Sequence, residues 1–235
     1  MHTKGTGEQN RINIAIDGPA GAGKSTVARM VASRLQYIYV DTGAMYRAVT
    51  WYMQSHGISA ENEQKVLQTV QNMVIELKPH ESGQMVLLNG EDVTPFIRSQ
   101  KVNSEVSRYA QIEDLRHHLV HLQRMMALSK GVVMDGRDIG TTVLPAAEVK
   151  IFMTASVKER ALRRFKELDK AEGITLEQLE TDIARRDRLD EEREVSPLRR
   201  AEDAVFLDTT DMNIDEVVEY ITSFCRTRMD GEKEQ

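Results

Sequence analysis

Residues 12–26 read INIAIDGPAGAGKST. Ile12–Ile16 is a continuous apolar-rich run closed by Asp17-Gly18, which suits a strand covered on both faces. Gly18-Pro19-Ala20-Gly21-Ala22-Gly23-Lys24-Ser25 then fits G-x-x-x-x-G-K-[ST], directly after that strand and before a helical pattern, Thr26–Leu35. Glycines let backbone N–H groups turn inward around an anion, and the helix N-terminus adds its positive partial charge. Lys24 can reach the outer phosphates, and the Ser25 hydroxyl can ligate Mg²⁺. Residues Gly18 to Thr26 are therefore expected to hold ATP or GTP.

Working outward, four more short apolar runs follow, Tyr37–Val40, Gly131–Met134, Val149–Met153 and Ala204–Leu207, three of them bordered by Gly or Asp. Helical patterns lie between them. Leu115, Leu119, Leu122 and Met126 keep one apolar stripe, and Ser156-x-x-Glu159 and Thr175-x-x-Gln178 are capping-box signatures. Strand–helix alternation of this kind predicts an α/β fold with a parallel sheet. One stretch departs from it. Met73–Lys78 and Gln84–Asn89 read as two strands joined by Pro79-His80-Glu81-Ser82-Gly83, and Asn89-Gly90 marks a further tight turn. We read residues 59–98 as a small antiparallel insert in a core of residues 11–58 and 99–229. The polar ends, 1–10 and 230–235, are expected to be flexible.

Composition limits the function classes. A chain of 235 residues suggests one large domain, or one domain with an insertion. A net charge of −6 and 5% aromatic residues argue against attraction to nucleic acid or membrane phosphate and against a base-stacking surface. The single cysteine, Cys225, excludes an internal disulfide framework and fits a reducing, cytoplasmic setting. There is no apolar run of about 18 residues and no signal-peptide pattern at the first residues. Nothing in the sequence calls for an obligate oligomer, so a monomer is expected. His117 and His121 form an i,i+4 pair without a third ligand nearby, which reads as a helix surface.

Many functions share the phosphate loop, so other segments must discriminate. No Asn-Lys-x-Asp tetrapeptide is present to read guanine. Asp41-Thr42-Gly43-Ala44-Met45-Tyr46-Arg47 follows the second strand, and Asp135-Gly136-Arg137-Asp138-Ile139-Gly140-Thr141 follows the third. In an open α/β sheet both loops face the ligand crevice. Thr42 offers a hydroxyl there, and Arg47 and Arg137 offer guanidinium forks suited to a phosphate. Residues 185–200, RRDRLDEEREVSPLRR, hold six arginines, five acidic residues and no lysine. A solvated helix laced with ion pairs is one reading of that run. An arginine-rich lid closing over transferring phosphate is the other, favoured by the absence of lysine.

Taken together, IDGPAGAGKST (16–26), DTGAMYR (41–47), LNGEDVT (88–94), DGRDIGT (135–141), VKIF (149–152) and RRDRLDEER with SPL (185–198) resemble the bacterial cytidylate kinases, which are nucleoside monophosphate kinases. The resemblance runs over about residues 11–228. It implies a three-layer P-loop core with a five-stranded parallel sheet, an acceptor-nucleotide-binding insert and a short lid. It also implies Mg-ATP-dependent phosphorylation of CMP and dCMP. By the same resemblance Thr42, Arg47 and Arg137 would grip the acceptor phosphate with Tyr46 packed nearby, and Ser107, Arg116 and Asp138 would read cytosine. Arg186 and Asp190 would contact the sugar. Lys24, Arg137, Arg186 and Arg193 would surround the transferring phosphoryl group, Arg186 and Arg193 arriving with the lid. Two other readings remain open from the residues: a small-molecule kinase with another acceptor, and a switch that hydrolyses ATP slowly.

Overall fold

The computed structural model describes residues 11–80, 83–167 and 173–231. The expectations for residues 1–10 and 232–235, and for the Glu81-Ser82 part of the hairpin turn, lie outside the described residues. The first half of the chain runs β1 (Asn13–Asp17), α1 (Lys24–Leu35), β2 (Ile38–Asp41), α2 (Thr42–Ser55), α3 (Glu63–Val70), β3 (Ile75–His80), β4 (Gly83–Leu88), β5 (Glu91–Asp92) and α4 (Gln100–Tyr109). It continues with α5 (Glu113–Met126), β6 (Val132–Gly136), a π-helical turn (Ile139–Val143), β7 (Val149–Thr154), α6 (Val157–Glu167), α7 (Leu176–Glu192), β8 (Val205–Asp208) and α8 (Ile214–Gly231).

Five strands form one sheet in the order β2-β6-β1-β7-β8, every neighbouring pair parallel. All five residues of β1 are buried, and they divide between two layers. Ile14 and Ile16 pack with Val27, Val31, Val218 and Ile221 of α1 and α8, whereas Ala15 meets Val120, Met134 and Ile139 on the opposite face. Alternating side chains of one strand thus fill two apolar layers, which is why the strand reads as an apolar-rich run. The register aligns the strand ends: Asp17 stands opposite Gly136, and Asp41 opposite Asp135. The loops after β1, β2 and β6 consequently open on one crevice.

The insert carries α3 and a separate antiparallel sheet, β3-β4-β5. Its Val66, Val86 and Leu88 share one apolar cluster with Met45 and Val49 of α2 and Leu115 and Leu119 of α5. The hairpin strands differ slightly from the expected ranges because Asn89 leaves the ladder to make the turn. Asn89 and Gly90 have φ of 52° and 85°, and Leu88 pairs with Glu91 across them, the two-residue connection that an Asn-Gly step favours. The Asn89 side chain accepts from the N–H of Val74, the residue before β3, and ties the turn to that strand.

Thr175 and Gln178 complete a reciprocal capping box at the start of α7. At Ser156 only half of the expected box forms. The Glu159 N–H donates to Ser156 Oγ, while the Glu159 carboxylate turns to Arg163. α8 runs through Asp230 and Gly231, and Met229 packs against the apolar cluster that α1 shares.

Candidate active site

The phosphate loop sits on β7. Gly18 has φ of 147°, and a Cβ there would lie 1.9 Å from the Met153 carbonyl oxygen, so no larger residue fits. Lys24 opens α1 and is buried; its Nζ donates to the Pro19 carbonyl at 2.8 Å. Burial, and then the neighbouring Arg137, push the Lys24 ammonium down to about 7. Ser25 Oγ donates to Asp135 Oδ2, and the Tyr39 hydroxyl donates to Asp135 Oδ1, both at 2.9 Å. Burial, followed by the nearby Asp41 carboxylate, raises Asp135 to about 6. Asp17, raised to about 6 chiefly by burial, accepts from the backbone N–H groups of Ile139 and Gly140 and so anchors the π-helical turn behind the site.

A cleft of about 1600 Å³ opens in front of this loop, and Lys24, Ser25, Arg47, Asp135, Arg137 and Arg186 line it. The cations in its wall are unevenly compensated. Arg137 Nε binds Asp190 Oδ2 at 2.7 Å. Burial alone would raise Asp190, but Arg137, Arg193 and Arg186 hold it below the usual carboxylate range. Arg186 Nε is buried with no hydrogen-bond partner among the described residues, and burial together with Arg137 pushes this guanidinium below its ordinary value. An unpartnered guanidinium beside another cation is an arrangement that an anion would relieve.

On the acceptor side, Asp41 caps α2 through the Ala44 N–H, binds Arg98 at 2.7 Å and stands 4.0 Å from Arg47. Arg47 Nε donates to Asn103 Oδ1, and burial lowers its guanidinium to about 10. The Thr42 hydroxyl donates to the Asp135 carbonyl at 2.7 Å. Arg116 is 1% exposed; its Nη2 binds Asp138 Oδ2 at 2.5 Å, and its guanidinium lies over the Tyr46 ring at 5.5 Å. The Tyr46 hydroxyl is buried with no hydrogen-bond partner among the described residues, and burial raises it to about 12. Arg193 Nη2 comes within 3.4 Å of Asp138 Oδ1. Of the three expected base-reading side chains, Arg116 and Asp138 thus meet as a buried pair, and neither lines the cleft. Ser107 is buried on α4, and among the described residues no side-chain hydrogen bond links it to Arg116 or Asp138.

Sequence reading missed several contributors. Asp17 and Tyr39 orient loop and carboxylate from the strand ends, and the Asp-Gly step after β1, which matches Asp135-Gly136, was the available signal. Arg98, Arg160 and Asp187 carried none, because each looks like an ordinary charged residue until the fold brings its partner close.

The model of the family described as cytidylate kinase matches residues 14–227. This chain belongs to the cytidylate kinase family. It is 53% identical to the cytidylate kinase of Geobacillus sp. (strain WCH70) over 223 residues, 94% of this chain and 99% of that protein. It is 54% identical to the cytidylate kinase of Geobacillus kaustophilus (strain HTA426) over 222 residues, again 94% and 99%. Among solved structures, an uncharacterized protein from Eubacterium ventriosum ATCC 27560 aligns with a TM-score of 0.50 at 13% identity over 93% of this chain and 99% of that one, a likeness of fold alone. As a cytidylate kinase family member the protein is an ATP-dependent phosphotransferase. No helix among the described residues is long and apolar enough to cross a membrane.

Proposed function

We propose that the protein transfers the γ-phosphoryl group of ATP to CMP or dCMP, giving ADP and CDP or dCDP. The observation that carries this reading is the convergence of Lys24, Arg137 and the unpartnered Arg186 on one cleft at the end of the phosphate loop. An acceptor phosphate oxygen attacks the γ-phosphorus in line, and the bond from that phosphorus to the oxygen bridging it to the β-phosphate breaks. No proton need move, since the attacking group is already an anion, so catalysis is positioning plus neutralisation of charge. Residues Gly18–Thr26 cradle the donor phosphates through backbone N–H groups, with Lys24 reaching the outer ones. Arg47 and Arg137 grip the acceptor phosphate, and Thr42 fixes the strand end beside it by its bond to the Asp135 carbonyl. Arg186 and Arg193 close from the lid, and Asp190 orients Arg137 and faces the sugar.

For the base, an Asp138 carboxylate can accept from the exocyclic amine of cytosine and an Arg116 guanidinium can donate to the ring carbonyl, with Ser107 completing the set. Mg²⁺ belongs to the same proposal. Ser25 Oγ and Asp135 Oδ2, 2.9 Å apart in the cleft, are hard oxygen donors of the kind that ion takes with phosphates and water. Bound there with ATP, it would neutralise charge on the β- and γ-phosphates. Residues 59–98 serve as the acceptor-side insert and about 185–200 as the lid. The enzyme works as a cytoplasmic monomer, and the lone buried Cys225 fits that compartment.

Acceptor-dependent ADP release with Mg-ATP, compared across CMP, dCMP, UMP, AMP and GMP at equal concentration, tests the reading. Strong preference for CMP and dCMP is expected. Preference for another monophosphate would overturn the base assignment, and no stimulation by any of them would overturn phosphotransfer to a nucleotide.

A further inference from the structure

Behind the cleft wall, α6 and α7 grip the phosphate loop through a pair of charges, Arg160 and Asp187, neither of which lines the cleft itself. Asp187 Oδ1 accepts from the Ala20 N–H at 3.1 Å, and Asp187 Oδ2 binds Arg160 Nη1 at 2.6 Å. The same Arg160 nitrogen donates to the Ala20 carbonyl at 2.8 Å, and Arg160 Nε donates to the Ala155 carbonyl. Both backbone groups of Ala20, inside the loop, are therefore fixed by one ion pair. The pair is 4% and 8% exposed, and the Arg160 stem lies 3.4 Å from where a Cβ on Gly21 would stand. One turn further along α7, Asp190 holds Arg137 of the loop after β6. Arg186, immediately before Asp187 on the same helix, lines the cleft.

We propose that Arg160 and Asp187 are positioning residues for the donor nucleotide: by clamping the Ala20 peptide groups they set the orientation in which the phosphate loop presents its N–H groups to a triphosphate. The inference rests on the ATP-binding part of the reading above and is independent of which acceptor is used. A buried pair serving stability alone could be exchanged for apolar side chains at little cost, since removing two charges together avoids an uncompensated one. A clamp could not, because apolar side chains leave the loop peptide groups unheld.

The test uses the full-length protein with Asp187→Asn, Arg160→Lys and the double variant Arg160→Met/Asp187→Leu. Calorimetric titration with Mg-ATP needs no acceptor, so it stands even if CMP is not the substrate; wild-type turnover with CMP tests that separately. We expect the Mg-ATP Kd to rise about tenfold or more in all three, as small misplacements of binding groups do. KM for ATP should follow it while KM for CMP stays within about twofold. The double variant avoids an uncompensated buried charge, so it should stay folded at the assay temperature and still lose ATP affinity. Wild-type ATP affinity in the folded double variant would overturn the proposal, as would KM for CMP rising in step with KM for ATP. Failure of all three to fold would overturn it too, because the pair would then serve the fold itself.

Discussion

Arg116 Nη2 lies 2.5 Å from Asp138 Oδ2, so the two side chains proposed to read the base are each other's partner within the protein. Cytosine can enter this pair without leaving either charge unmatched, because it offers an amine to the carboxylate and a carbonyl to the guanidinium. Uracil puts a carbonyl opposite the carboxylate, and a site built this way rejects the mismatch. Asp138→Asn should reduce the preference for CMP over UMP about tenfold or more in kcat/KM. It should also lower the thermal midpoint by about 5 °C or more, since Arg116 and Arg193 lose their shared counter-charge in a buried setting. An unchanged CMP-to-UMP ratio removes Asp138 from the base-reading role.

Lys24 and Arg186 face the cleft from opposite elements, the start of α1 and the last turns of α7. Each supplies positive charge where negative charge shifts during transfer, and neither supports the apolar core. Lys24→Ala and Arg186→Ala should each lower kcat by about a hundredfold or more. Circular dichroism of both variants should match wild type. Near-normal turnover with CMP in either one would falsify the corresponding assignment.

The Lys24 ammonium titrates near 7 in the folded protein but at 10.5 in an unfolded chain. Below pH 7 both states carry the proton, and the full cost of a buried charge counts against the fold. Between pH 7 and 10.5 the unfolded state binds more protons, so stability contributed by this group rises with pH. Lys24→Met should therefore stabilise the nucleotide-free protein at pH 6, with the gain shrinking towards pH 9. Urea denaturation of both proteins at the two pH values measures it, and an equal gain at each would contradict the assignment. Binding of a triphosphate restores the charge on Lys24, so Mg-ATP binding at pH 8 should take up protons. Calorimetry in buffers of different ionisation enthalpy reads that uptake directly.

Fold and donor loop were legible because local signals carried them. A buried strand, a glycine-rich turn and a helix start leave a continuous pattern over residues 12–26, and β2, β6 and β8 repeat the apolar run with a Gly or Asp beside it. The two loops proposed for the acceptor stood out in the sequence as DTGAMYR and DGRDIGT because several charged and small residues crowd a strand end. What lay beyond reading depends on distance along the chain. Arg160 and Asp187 are 27 positions apart, and Gln84 meets Tyr39 from 45 positions away. No periodicity or spacing marks such a pair. Within the run at 185–200, which offered two readings, Arg185 pairs with Asp182 along the helix, Arg186 lines the cleft and Arg193 lies beside Asp138.

Gln84 supplies the last prediction. β2 is an edge strand, so its outward N–H and C=O groups lack a strand partner. The Gln84 amide takes that place: Oε1 accepts from the Asp41 N–H at 3.1 Å, and Nε2 donates to the Tyr39 carbonyl at 2.5 Å. Through this bidentate contact the insert hairpin is fixed to the two residues that hold Arg98 and Asp135 respectively. Loss of the amide should loosen the acceptor side while leaving the phosphate loop on β1 and α1 untouched. Gln84→Ala is expected to raise KM for CMP about fivefold with KM for ATP little changed, and to lower the thermal midpoint by only about 2–4 °C, the loss of one or two hydrogen bonds. Gln84→Glu keeps the acceptor for the Asp41 N–H but sets a carboxylate against the Tyr39 carbonyl, so it should be no better than alanine. If KM for ATP rises as much as KM for CMP in both variants, the contact braces the whole enzyme rather than its acceptor side.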